Sequence, residues 1–127
     1  MSAKRRIGPI FSTLDLYGNV VELHATTWNA HILDEHPEMH GCEDLVKSVL
    51  SDPFEIRLST LCETSLAFIS ESNIGPRPEG IRVLVEYTDT TFEKGSVTGN
   101  VSTAYPIDLA RYRSPQIGKR IYTKGKP

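Results

Sequence analysis

Hydrophobic and polar residues alternate near the start of the chain, over residues 10–24. A period of two is typical of a half-buried β-strand, and here it is carried by four apolar residues: Leu14, Leu16, Val21 and Leu23. The stretch from Tyr17 to Asn19 interrupts the alternation. It contains Gly18, and glycine and asparagine tolerate the positive φ that a tight turn needs. The pattern therefore predicts an N-terminal β-hairpin.

The hydrophobic period changes to that of a helix after Thr26 and Thr27, either of which is expected to cap the helix. Four of the residues that follow share one side of a helix with 3.6 residues per turn: Trp28, His31, Ile32 and Glu35. Trp28 and Ile32 are predicted to point into the core. This leaves His31 at the edge of the buried side.

Pro37 sets the end of this helix, because proline disfavours helical geometry at the preceding residue, His36. A second helix is predicted over residues 42–51, where apolar residues fall on one side. Four strand candidates follow the helices, at 54–59, 65–70, 81–87 and 97–105. The predicted fold class is therefore α+β, with an N-terminal β-hairpin and two helices packed on a four-stranded antiparallel sheet.

The composition is that of a globular protein, with 127 residues of which 39% are hydrophobic and 24% are charged. We expect a single domain over residues 1–110, followed by a basic C-terminal tail over residues 111–127. No apolar run approaches the ~20 residues that span a bilayer. No apolar segment follows the basic N-terminus either, so neither a secretory signal nor membrane association is expected. Cys42 and Cys62 are expected to be free thiols, which predicts a cytoplasmic protein.

Charge is distributed unevenly along the chain. All sixteen acidic residues lie between Ile7 and Ala110, and that span holds only five basic residues, so its balance is −11. The other nine basic residues lie at the two ends. Basic ends can bind phosphate backbones or an acidic partner, or can simply keep the chain in solution. The sequence leaves these alternatives open.

Three of the four histidines lie in the stretch TTWNAHILDEHPEMHG, residues 26–41. One interpretation is purely structural, and another is proton transfer by a histidine near neutral pH, with Glu35 fixing the tautomer of the imidazole at position 31. A third is a zinc site with four ligands: His31, His36, His40 and Cys42. The sequence HPEMH differs from the H-E-x-x-H helix of metalloproteases. We therefore expect no metal and no other cofactor.

The same stretch resembles a motif of small phage and bacterial proteins, W-x-x-H-I-x-x-x-H-P-E, formed here by residues 28–38. In those proteins a helix that ends before Asp-Pro and an Ile-containing strand come next, as in LSDPFEIRLS at residues 50–59. Their last core strand often carries Thr-Ala-Tyr, as at residues 103–105. Over residues 14–106 the chain is thus similar to the phage-associated branch of the barnase–EndoU–colicin–RelE-like nuclease superfamily.

This resemblance implies an RNase-like α+β fold with a cleft on the open sheet face, and a small toxin-like endoribonuclease that needs no metal. A base would remove the proton from a ribose 2′-OH, whose oxygen attacks the adjacent phosphate to leave a 2′,3′-cyclic phosphate and a 5′-hydroxyl. The implied partners are RNA, either tRNA or another cellular RNA, and an inhibitor or antitoxin protein.

The resemblance also implies roles for individual residues. His31 and His36 are the candidate acid and base, Thr103 is a hydroxyl donor to the phosphate, and Tyr105 is a residue that stacks on a base or donates a proton. Arg57 is the candidate for phosphate charge, on the grounds of residue type and its place on the first core strand.

One position departs from the pattern of the resembling proteins. The residue before His36, often arginine in them, is Glu35 here, so a charge that attracts phosphate is replaced by one that repels it. The alternative hypothesis is a non-catalytic binding module of the same fold, such as a phage accessory protein or one partner of an inhibitor complex. The acidic segment over residues 7–110 would then face a basic partner.

Overall fold

The computed structural model describes residues 8–60, 62–72, 79–108 and 118–125. Its strands are β1 (Phe11–Leu14), β2 (Val20–Leu23), β3 (Glu55–Leu58), β4 (Ser65–Ser72), β5 (Glu79–Tyr87), β6 (Thr98–Ile107) and β7 (Arg120–Thr123). They form one seven-stranded sheet in the order β1-β2-β6-β5-β4-β3-β7. Neighbouring strands pair antiparallel except β2 and β6, which run parallel.

The predicted RNase-like α+β fold, with two helices on a four-stranded antiparallel sheet, is wrong. The predicted hairpin is present as β1 and β2, but β2 also pairs with β6 and so joins the main sheet. At the other side β7 pairs with β3. The result is a mixed sheet in a mostly β protein. Local alternation identifies a strand but not its distant partner, so the parallel pairing could not be read from the pattern.

The α-helical part of the described chain consists of two short segments, and a separate 3-10 turn (Phe92–Lys94) lies between β5 and β6. Residues 25–35 contain α1 (Ala25–Thr27), a π-helical turn (Trp28–Ile32) and α2 (Leu33–Glu35), and α3 (Glu43–Ser51) follows a 3-10 turn (Pro37–Met39). Thr26 and Thr27 do not cap the first segment, because the N-cap position is His24, which makes no side-chain capping bond. The predicted end at His36 is confirmed: that residue leaves helical geometry with φ −134° and ψ 72°.

The sheet separates two sets of side chains, most clearly on β5. Ile81, Val83 and Val85 are fully buried in the main core, which also contains the indole of Trp28. Because successive residues of a strand point to opposite sides, the other β5 side chains lie on the reverse of the sheet, which we call the outer face: Arg82, Leu84 and Glu86.

A β-bulge changes the phase of β6 on this outer face. Leu84 pairs with Thr103, whereas Val85 pairs with Val101, so one extra residue is inserted in β6. On the other side of the bulge Asn100 pairs with Glu86. Asn100 and Thr103 therefore both lie on the outer face, although they are three residues apart and a regular strand would place them on opposite sides.

A buried polar network fixes the turn of the hairpin. Asp15 Oδ1 accepts hydrogen bonds from the backbone N–H groups of Tyr17 and Asn19, both at 2.9 Å. Its Oδ2 accepts from the Asn19 amide at 2.9 Å and from the Tyr87 hydroxyl at 2.5 Å. Asn19 in turn donates to the Phe92 carbonyl at 2.7 Å. Burial, followed by the hydrogen bond to Asp15, raises the pKa of Tyr87.

The strands on either side of the predicted loop at 71–80 are longer than expected, since β4 continues to Ser72 and β5 begins at Glu79. Strand β7 lies within residues 111–127, the segment assigned to a basic tail. Residues 109–117 are outside the described part, so the boundary of the tail stays a prediction. None of the described helices has the length and apolar content needed to cross a bilayer.

Candidate functional site

His36 lies where the first helical segment reaches β6. Strand β2 pairs only with Thr98–Asn100 of β6, and β6 is also contacted by the π-helical turn and by the 3-10 turn at Pro37–Met39. The His36 ring stacks on Tyr105, with ring centroids 5.1 Å apart and planes at 21°. No residue in the described part of the chain forms a hydrogen bond with its ring nitrogens, so both are available for proton transfer.

Arg82 holds the hydroxyl of Tyr105. Its Nη1 donates to Tyr105 Oη at 2.5 Å, and its Cζ lies 5.8 Å from the centre of the phenol ring. Its Nε is buried and has no hydrogen-bond partner among the described residues, although a buried N–H normally has one. Histidine, phenol and guanidinium are thus adjacent, and we call His36, Tyr105 and Arg82 the His36 cluster.

Thr103 lies on the same face of β6 as Tyr105. The two residues are two positions apart, which places their side chains about 7 Å from each other along the strand. Thr103 is half-buried, and its hydroxyl is not bonded to any residue that the structure describes. Three of the five sequence-predicted residues, His36, Thr103 and Tyr105, therefore lie on or against the C-terminal half of β6.

His31 is on the preceding turn and is held by a carboxylate. Its Nδ1 lies 2.9 Å from Glu35 Oε2, and both side chains are about half exposed, at 51% and 55%. The expected pairing with Glu35 is therefore present, and it places the proton of a neutral imidazole on Nδ1. Whether this residue acts in catalysis stays a prediction.

Arg57 is the predicted site residue that the structure separates from the others. It lies in one row across the outer face with Thr103, but Ala67 and Leu84 stand between them, a separation of about 14 Å at the usual strand spacing. Its Nε donates to Glu55 Oε2 at 2.6 Å and its Nη1 to the Gly118 carbonyl at 3.0 Å. Its charge is thus engaged at the β3–β7 edge.

A hollow opens on the sheet beyond the bulge. Its volume is about 520 Å³, and it is lined by Glu86, Tyr87, Thr88, Asn100, Val101 and Ser102. The side chains of Tyr87 and Val101 are buried in the main core, whereas those of Glu86 and Asn100 are exposed. The polar side of the hollow therefore belongs to the outer face.

His24, at the end of β2, contacts the rim of this hollow. Its Nε2 lies 3.1 Å from Asn100 Oδ1 and 3.2 Å from Glu22 Oε1. Both neighbouring atoms are acceptors, so a single Nε2–H serves both contacts and fixes the tautomer. Glu22 pairs in register with Asn100, which pairs with Glu86. A row of polar side chains therefore crosses three strands here.

Four residues of this surface were not predicted from the sequence: Arg82, Asn100, Glu86 and His24. Arg82 and Glu86 are the polar members of an alternating strand, and that pattern by itself predicts only exposure to solvent. A signal for Arg82 was present in its residue type, since arginine on a sheet is suited to binding phosphate, but the same argument selected Arg57. The bulge that aligns Asn100 with Thr103 has no clear local signature.

Within the described ranges, no three His, Cys, Asp or Glu side chains converge so that they could hold an ion, and these ranges include all four ligands of the zinc interpretation. That interpretation thus lacks a ligand set.

Comparison with protein-family models, with curated proteins and with solved structures found no match to the chain.

Proposed function

We propose that the protein is a small metal-independent endoribonuclease that works at the His36 cluster. The observation that carries the proposal is the contact of an imidazole with both ring nitrogens available against a tyrosine whose hydroxyl is held by Arg82. Cleavage of a phosphodiester by the adjacent ribose 2′-OH requires proton transfer, hydrogen-bond donation and positive charge.

In the proposed reaction, His36 accepts the proton of the ribose 2′-OH as the 2′-oxygen attacks phosphorus. The bond from phosphorus to the 5′-oxygen then breaks, and that oxygen takes a proton from an acid, for which His31 in its imidazolium form is the candidate. The products are a 2′,3′-cyclic phosphate and a 5′-hydroxyl, and no metal enters any step.

The other residues act on the charge that builds up on the phosphate. Arg82 supplies the positive charge through its guanidinium, whose Nη1 donates to Tyr105. Tyr105 accepts from Arg82 through Oη, so its own hydroxyl proton can be donated to a phosphate oxygen. Thr103 offers a second hydroxyl from the same face. Donors that are held in place before the reaction stabilise the transition state without reorganisation.

The test is incubation of the purified protein with short RNA in the presence of EDTA. We expect cleavage products that end in a 2′,3′-cyclic phosphate, and loss of cleavage by roughly 100-fold or more in His36→Ala. His40→Ala is the matched control, because His40 is an exposed histidine four residues away that takes no part in the cluster. Intact RNA, or equal rates for the two variants, would contradict the proposal.

A second candidate function is that of a non-catalytic binding module, and the negative charge of residues 7–110 favours it. Sixteen acidic residues against five basic ones over Ile7–Ala110 produce a field that attracts a basic protein and repels RNA. A stable complex recovered by affinity purification, together with intact RNA under the conditions above, would support this candidate over the nuclease.

A further inference from the structure

The hollow and the His36 cluster lie on the same face of the same pair of strands. From Tyr105 and Arg82 the outer face of β5 and β6 continues past Thr103 to Asn100 and Glu86, about 7 Å further along the strands from Thr103, which is the two-residue step from Leu84 to Glu86. The cationic end of this part of the outer face lies at Arg82, and its acidic end lies at Glu86. A molecule with an anionic end and a polar neutral end, such as a nucleotide, matches this distribution.

Glu86 and Asn100 present a defined pair of groups to such a molecule. They are register partners on adjacent antiparallel strands, so their Cα atoms are about 5 Å apart and their side chains leave the sheet side by side. An ionised glutamate can only accept hydrogen bonds, whereas an asparagine amide can accept through its oxygen and donate through its nitrogen.

The contact with His24 determines whether the Asn100 amide accepts a hydrogen bond from a ligand or donates one to it. The contact from His24 Nε2 to Asn100 Oδ1, at 3.1 Å, occupies the amide oxygen with a donor. The amide nitrogen is then the group left for a ligand, and no residue of the described part accepts a hydrogen bond from it. The hollow therefore offers an acceptor, Glu86, next to a donor, Asn100 Nδ2.

On this basis we propose that the hollow is the nucleobase subsite of the enzyme, and that it selects bases with an amino group next to a ring-nitrogen acceptor. This inference rests on the proposed ribonuclease function. Cytosine offers its 4-amino group to Glu86 and its N3 to Asn100, and adenine offers the same arrangement with its 6-amino group and N1. Uracil has the reverse, an N3–H donor beside the O4 acceptor. Glu86 is thus the specificity-determining residue, and His24 is a positioning residue.

The test uses cytidine 3′-monophosphate and uridine 3′-monophosphate, which differ only in this base edge. Titration calorimetry with the wild-type protein should give about ten-fold tighter binding of the cytidine nucleotide, the discrimination expected of one well-placed pair of hydrogen bonds. Glu86→Gln should reduce the ratio to nearly one, because a glutamine can also donate to O4 of uracil. Glu93→Gln, a change of another exposed glutamate outside the hollow, should leave the ratio unaltered.

Each outcome of the titration either supports or overturns the proposed subsite. The assay of RNA cleavage tests the proposed nuclease function independently. Equal affinity for the two nucleotides in the wild type, no binding of either, or a preference that persists in Glu86→Gln overturns the subsite. A cytidine preference that requires Glu86, in a protein that leaves RNA intact, supports the subsite and overturns only the nuclease function.

Discussion

Two arginines on the outer face have different surroundings, although they are the same residue type on neighbouring parts of one sheet. Arg57 donates to Glu55 and to the Gly118 carbonyl. Arg82 donates to Tyr105, and its buried Nε–H has no acceptor in the part of the chain that the structure describes. Residue type alone could not separate the two, because what distinguishes them is the partner that each meets across the sheet.

We predict that Arg82→Gln lowers the rate of RNA cleavage by roughly 100-fold, the effect of removing one donor to a developing oxyanion. Arg57→Gln should cleave at a rate close to the wild type but unfold more easily, by ~1–3 kcal/mol, since Glu55 is buried and loses a donor. Single-turnover rates and urea unfolding of both variants check this. A large loss of activity in Arg57→Gln alone would reverse the assignment.

Asp15 is the residue on which the hairpin turn depends, since its carboxylate accepts four hydrogen bonds while only 5% exposed. We predict that Asp15→Ala lowers the free energy of unfolding by at least ~3 kcal/mol, because several buried donors lose their acceptor together. Asp34→Ala, at an exposed position on α2, should change it by less than ~0.5 kcal/mol. Urea unfolding followed by circular dichroism measures both.

At the scale of elements, the connection between β5 and β6 packs closely against the hairpin turn. Gly95 has φ +73°, and a Cβ there would lie 2.3 Å from the Tyr17 carbonyl oxygen, whereas Gly18, with φ +90°, has open space around it. Gly18→Ala should therefore cost about 1–2 kcal/mol for the left-handed backbone alone. Gly95→Ala should cost clearly more, since it adds the steric clash. Comparable losses of unfolding free energy would show that the turn and the connection move apart freely.

The sequence predicted those elements whose determinants are local. Gly18 marks the hairpin turn and Pro37 ends the helix at His36, and both features are present because they depend on the backbone preferences of one or two residues. The parallel pairing of β2 with β6, the bulge before Thr103 and the edge strand β7 depend on contacts between residues far apart in the chain. No local pattern encodes them, so the sheet was predicted too small and the partners of Tyr105 were missed.

At the scale of the whole molecule, the stability of the protein is tied to the protonation of a half-buried phenol, that of Tyr17. Burial, followed by the charges of Glu93, Asp15 and Tyr122, raises the pKa of Tyr17 from 10.0 to about 12. Above pH 10 the unfolded chain loses this proton while the folded chain retains it. The contribution to stability is therefore complete below about pH 10 and is lost as the pH rises to about 12.

We predict that the urea midpoint falls between pH 9.5 and pH 12, and that it falls less steeply in Tyr17→Phe, which has no proton to lose. Unfolding curves at half-unit intervals of pH measure the difference between the two proteins. Parallel curves for the wild type and the variant would mean that Tyr17 titrates normally in the folded protein.

Trp28 makes the region around the candidate site observable by optical means. It is the single tryptophan of the chain, it is 2% exposed, and its carbonyl accepts the hydrogen bond that closes the wide turn carrying His31. Its fluorescence spectrum therefore reports on this one segment. A nucleotide that shifts the turn on binding would change the emission maximum, so ligand titrations and stopped-flow kinetics can be carried out on the unlabelled protein.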